Sequence, residues 1–95
     1  MTILTVRSQL ALYWSTAPAL VGYPDSHEQM IEAREALLSG KPNFRGTARA
    51  ILARMRRVKS KVGGASVAFF IRTPDGRDVD VNELREVVMR ADMEG

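Results

Sequence analysis

The sequence predicts an α+β domain of three helices, a β-hairpin and a C-terminal helix. Three observations carry that expectation. Apolar residues recur every three or four positions in several stretches bounded by capping residues. Val67, Phe69 and Ile71 alternate instead, as one face of a strand does. Between that strand and a second alternating run lies Thr73-Pro74-Asp75-Gly76, where Pro presets φ and Gly accepts a positive φ.

The first helix is expected from about Thr5 to Thr16. Val6, Leu10, Tyr13, Trp14 and Ala17 fall on one helical face, Thr5 offers an N-cap hydroxyl, and Pro18 stops the run. Residues Met1 to Leu4 are the alternative site for a short strand. Gly22 and Pro24 mark residues 19–25 as a loop. A second helix starts at Ser26, with Gln29 in capping-box position, and ends at Gly40, where a left-handed cap is expected. Its buried side is read as Met30, Ile31, Arg34, Leu37 and Leu38, opposite Glu28, Glu32 and Glu35. Asn43 is the expected cap of a third helix running to about Lys61, with Ala48, Ile51, Leu52, Met55, Val58 and Val62 as its apolar stripe and Gly63-Gly64 as its end.

The hairpin follows as Ser66 to Arg72 and Arg77 to Val81, with Val79 and Val81 inward and Asp78 and Asp80 outward. Phe70 faces away from Phe69 and Ile71, which marks it as a candidate interface aromatic. Asn82 is the expected cap of the C-terminal helix, carried by Leu84, Val87, Val88 and Ala91, with fraying from about Asp92. A two-stranded hairpin is marginal alone. It must pack on the helices or gain a strand, from residues 1–4 or from a second copy of the chain in a homodimer.

Ninety-five residues, 45% hydrophobic and 26% charged, fit one domain spanning residues 1–95. With no cysteine, disulfides and thiolate metal sites are excluded. The one histidine, His27, lies at the start of a helix and reads as a surface residue. No zinc ligand set, phosphate loop or dinucleotide fingerprint is present. No cofactor, no metal and no catalytic set are expected, and the protein is read as a non-enzyme. Tyr13, Trp14 and Tyr23 could stack on bases, but Tyr13 and Trp14 lie on the apolar stripe of the first helix and read as core. Arg7, Ser8, Gln9, Ser15, Thr16 and Pro18 interrupt the apolar N-terminal stretch, so neither a membrane partner nor secretion is expected, and the default location is the cytoplasm.

The net charge of +3 conceals strong segregation. Residues 1–35 carry −2, residues 36–74 carry +9 without a single acid, and residues 75–95 carry −4. Cations at i, i+3 and i+4 repel one another, so this pattern costs stability unless acids of the second or the C-terminal helix pack alongside and neutralise it, or the face is a surface for phosphates. Arginine suits phosphate because its planar fork matches the oxygens. The candidate contacts for nucleic acid, or for an acidic or nucleoprotein surface, are Lys41, Arg45, Arg49, Arg56 and Arg57, with Arg54, Lys61, Arg72 and Arg77 in support. The alternative is a protein-binding inhibitor of a host complex, of the anti-CRISPR type that phages and mobile elements encode.

Helix, turn, basic helix and hairpin is also the order of a winged helix-turn-helix. The tip Asp75-Gly76-Arg77 resembles the wings of MarR-type repressors, which implies DNA contact at Arg77. The hairpin that leads straight into a helix, residues 66–91, is similar to small head-to-tail joining proteins of tailed phages, which implies an assembly role instead.

Overall fold

A computed structural model of the chain describes residues 4–22, 26–63 and 66–94. In order these form β1 (Leu10–Ser15), α1 (His27–Ser39), β2 (Phe44–Gly46), α2 (Ala48–Val62), β3 (Ala68–Arg72), β4 (Asp78–Val79) and α3 (Val81–Glu94). The described residues are thus an α+β fold of three helices and one four-stranded antiparallel sheet, ordered β2-β1-β3-β4.

The largest departure from expectation is the first element, which is a strand and not a helix over residues 5–16. Its run Leu10-Ala11-Leu12-Tyr13-Trp14 is apolar at every position because β1 is a central strand, paired with β2 on one edge and β3 on the other. A strand covered on both faces reads as a continuous apolar run, which periodicity cannot separate from a helix. Thr5 caps no helix. It sits in a turn, donating its amide to Ser8 Oγ at 3.1 Å. Tyr13 and Trp14, expected on one stripe, face opposite sides of the sheet, as successive strand residues must.

Strand register assigns the two faces. Leu12 lies opposite Phe44 and Ile71, Trp14 opposite Phe69, and Ile71 opposite Val79. This face is buried by Ala48, Ile51 and Met55 of α2 and by Leu84 of α3, with Leu12, Ile51 and Leu84 among the fully enclosed side chains. Gly46 is needed where β2 turns into α2: a Cβ there would come within 2.9 Å of Ala50 Cβ and 3.0 Å of the Phe44 ring. The other face presents Ala11, Tyr13, Arg45, Phe70, Arg72 and Asp78, and α1 lies against it. Arg34 of α1 reaches Asp78 at 2.8 Å and stands 5.5 Å from the Phe70 ring centre. Phe70 does face away from the core, as expected, but α1 leaves it half-buried and not free.

Several boundaries follow their caps. Ser26 Oγ accepts from the Gln29 amide at 3.1 Å, as the sequence predicts. Gly40, however, has φ −88°, so α1 leaves into extended chain with no left-handed cap. Residues 44–46 join the sheet, which delays α2 to Ala48 and makes Thr47 its cap in place of Asn43. The Asn43 side chain instead accepts the Trp14 amide at 3.2 Å. Thr73-Pro74-Asp75-Gly76 turns as expected, with Gly76 at φ +89° and the buried Thr73 hydroxyl accepting the Arg77 amide at 2.9 Å. Strand β4 is shorter than expected, because Asp80 ends it and takes the capping role assigned to Asn82: its carboxylate accepts the Asn82 amide at 2.7 Å. The last helix extends through Asp92 to Glu94. Residues 1–3, Tyr23 and Gly64 lie outside the described residues.

Helix α1 buries no residue, and Met30 and Ile31, expected inside, are 37% and 41% exposed. No helix among the described residues is long and apolar enough to cross a membrane. The sheet's α2 face carries the stability of the domain. Leu12→Ala should cost about 2–5 kcal/mol, the range for an enclosed leucine, and urea denaturation would read it as a lower midpoint at unchanged slope.

Candidate nucleic-acid interface

The nine cations singled out in the sequence do not share one surface. Arg49, Arg54, Arg56, Arg57 and Lys61 belong to α2, Arg45 to β2, Arg72 to β3, Arg77 to the segment before β4, and Lys41 to the loop before β2. Arg45 is therefore not on the basic helix. It lies opposite Ala11, and so does Arg72, which puts both on the α1 face of the sheet while α2 covers the other.

Carboxylates from the acidic C-terminal segment fold back on part of the basic set. Asp92 accepts from Arg49. Asp78 accepts from Arg34 at 2.8 Å and from Arg72 Nε at 3.0 Å. Glu83 holds Arg77 at 3.0 Å and raises its pKa further above the ordinary value, a rise to which Asp75 adds. Arg77, offered in the sequence as a wing-tip contact, is thus already engaged. These groups are about a third to more than half exposed, where single ion pairs contribute little. Their effect is on availability of charge and not on stability.

What remains on α2 divides by helical position. With about 100° per residue, Arg54, Arg57 and Lys61 occupy the flank toward β2, and Arg49, Arg56 and Lys59 the flank toward α3. On the first flank Arg54 stacks 4.3 Å over the Phe44 ring, which fixes its plane while leaving its edge for hydrogen bonds. On the second, Lys59 stands 5.8 Å from the Phe69 ring, and Arg56 and Lys59 share a cavity of about 90 Å³ with Arg85 of α3. Arg56, Arg57 and Lys61 are exposed and have no acidic partner among the described residues. The same holds for Lys41 and Arg45.

Arg85 was not a sequence candidate. It lies in an acidic segment, and only the packing of α3 on α2 brings it beside Arg56. No signal in the chain's local pattern could have found it. The hydrogen bonds available to a ligand on this surface come from guanidinium and ammonium groups and from the exposed Ser60 hydroxyl. Thr47, the polar residue at the start of α2, is occupied in capping Ala50. Among the described residues no group of three or more His, Cys, Asp or Glu is placed to hold a metal ion.

Comparisons with protein-family models, curated proteins and solved structures find no match to this chain. Its own geometry is therefore what any functional reading has to use.

Asp92→Ala should release Arg49 and change stability by less than about 1 kcal/mol, as for other exposed pairs. Urea denaturation checks this: a larger loss would make the pair structural.

Proposed function

We propose that this protein works by binding, without catalysing a reaction, and that its partner is nucleic acid gripped by the phosphate backbone along the outward side of α2. One observation carries the reading: Arg56, Arg57 and Lys61 project into solvent beside the ring-stacked Arg54 and the added Arg85, with no carboxylate on them among the described residues. Cations held at like-charge spacing are stabilised when they meet a polyanion, and the release of its counterions drives the association.

Sequence readout is not part of this proposal. The first turn of α2 presents Ala48, Arg49 and Ala50, with Arg49 on Asp92, so few groups are left to read base edges. The element order of a winged helix-turn-helix persists as α1, α2 and the β3–β4 hairpin. Here α1 and α2 lie on opposite sides of the sheet, so α2 acts as a lone phosphate-tracking helix. A cytoplasmic location agrees with such a partner and is part of the same proposal. A protein partner is the second reading, favoured by the exposed Met89 and Met93, 61% and 84% accessible on the last turns of α3.

Duplex DNA of about 20 base pairs, followed by fluorescence anisotropy, tests the first reading. Affinity should fall steeply with salt, and the double variant Arg56→Glu with Arg57→Glu should lower the logarithmic salt slope by about 2 while far-UV circular dichroism stays unchanged. Asp92→Ala, by freeing Arg49, should tighten binding. Absence of binding at low salt, or an affinity the double variant leaves untouched, removes nucleic acid in favour of the protein partner.

A further inference from the structure

The α1 face of the sheet carries a site that α2 has no part in. One row of side chains crosses all four strands in register: Arg45 opposite Ala11, Ala11 opposite Arg72, Arg72 opposite Asp78. Directly paired residues share a face. Arg45 and Arg72 therefore stand two strand spacings apart, about 10 Å, with only a methyl group between them. The small residue leaves a cleft of about 250 Å³, walled by Arg45, Arg72 and Tyr13 and closed at one end by the turn at Thr73, Pro74 and Gly76.

Besides Gln9 and the engaged Thr73 hydroxyl, the polar side chains lining this cleft are Arg45, Arg72 and Tyr13. Arg45 has no acidic partner among the described residues. Arg72 gives Nε to Asp78, and its two terminal nitrogens make no hydrogen bond among those residues. Tyr13 is 8% exposed, and its hydroxyl, which reaches solvent, makes no hydrogen bond among them. Like charges flanking one position on a sheet are destabilising unless something answers them. Two planar guanidinium forks and a phenol hydroxyl are the donor set for an anion with several oxygens.

We propose that this cleft binds the phosphate group of a small phosphomonoester. Arg45 has no acidic partner among the described residues, and Arg72 shares its one carboxylate, Asp78, with Arg34, so the cleft keeps an excess of positive charge that favours a dianion over the single charge of a carboxylate or a phosphodiester. At about 30 Å³ per water, the cleft has room for about eight, more than a phosphate fills, so a carrier of sugar size enters with it. A duplex cannot, because its phosphodiesters are flanked on both sides. The site lies on the opposite face of the sheet from the α2 surface and is independent of the nucleic-acid reading.

Isothermal titration with glycerol 3-phosphate, inorganic phosphate and dimethyl phosphate tests it. Glycerol 3-phosphate should bind one to one, at least about tenfold tighter than the singly charged dimethyl phosphate and tighter than inorganic phosphate. Arg45→Met, on the exposed edge strand, and Ala11→Leu, which fills the cleft without changing charge, should each weaken it about tenfold or more. Tyr13→Phe should weaken it several-fold by removing one donor. Arg57→Glu on α2 should leave it unchanged. If Ala11→Leu does not fold, Arg45→Met and Tyr13→Phe still decide. Equal affinity for the monoester and dimethyl phosphate, equal affinity for inorganic phosphate, or wild-type binding by Arg45→Met overturns the proposal. So does a loss of duplex affinity in Ala11→Leu as large as the loss for the monoester, which would make the cleft part of the nucleic-acid surface.

Discussion

Strand β1 is hydrogen-bonded along both edges and covered on both faces, and the rest of the molecule is arranged around that constraint. A backbone segment buried this thoroughly must have its amides and carbonyls paired, and only a central position in a sheet does so without a helix. The alternation of its side chains then divides the domain. Leu10, Leu12 and Trp14 go to the side of α2 and α3, and Ala11 and Tyr13 to the side of α1. The two sides differ in kind. One is a closed apolar core, and the other is a partly covered face where charge and aromatic rings meet.

The same division breaks up the basic middle of the chain. Nine cations without an acid between residues 36 and 74 would repel one another on a single helix. The fold disperses them to both sides of the sheet and brings in carboxylates from the C-terminal segment: Asp92 to Arg49, Asp78 to Arg34 and Arg72, Glu83 to Arg77. The compensation is incomplete. It leaves Arg56, Arg57 and Lys61 along α2 without an acidic partner among the described residues, and Arg45 likewise on the other side of the sheet, beside an Arg72 that shares Asp78 with Arg34.

Helix α1 is the least anchored of the three. It contributes no buried residue, and its hold on the sheet includes one arginine shared between the Asp78 carboxylate and the Phe70 ring. A helix held in this way belongs to the low end of the local stability range. It also leaves part of the sheet face uncovered, and two clefts lie there. The cavity of about 450 Å³ between α1 and the sheet, lined by Ile31, Leu38 and Arg72, shares its arginine with the Arg45 cleft. Arg72 therefore lines both clefts on this face.

What the sequence by itself determined was everything governed by near neighbours. The Ser26 cap with its acceptor role toward Gln29, the buried stripe of α2 through Ala48, Ile51, Met55 and Val58, and the Thr73 to Gly76 turn all depend on residues within a few positions of one another. Net charge and its segregation were equally plain. The tertiary structure alone decided that residues 10–15 are a strand, because an apolar run between two partners is locally identical to a helix until those partners exist. It alone recruited Phe44, Arg45 and Gly46 to an edge strand of three residues, too short for any alternation to show. It also decided which cations are answered. Arg34 meets Asp78 across 44 positions and Arg49 meets Asp92 across 43, distances at which side-chain order along the chain carries no information about contact.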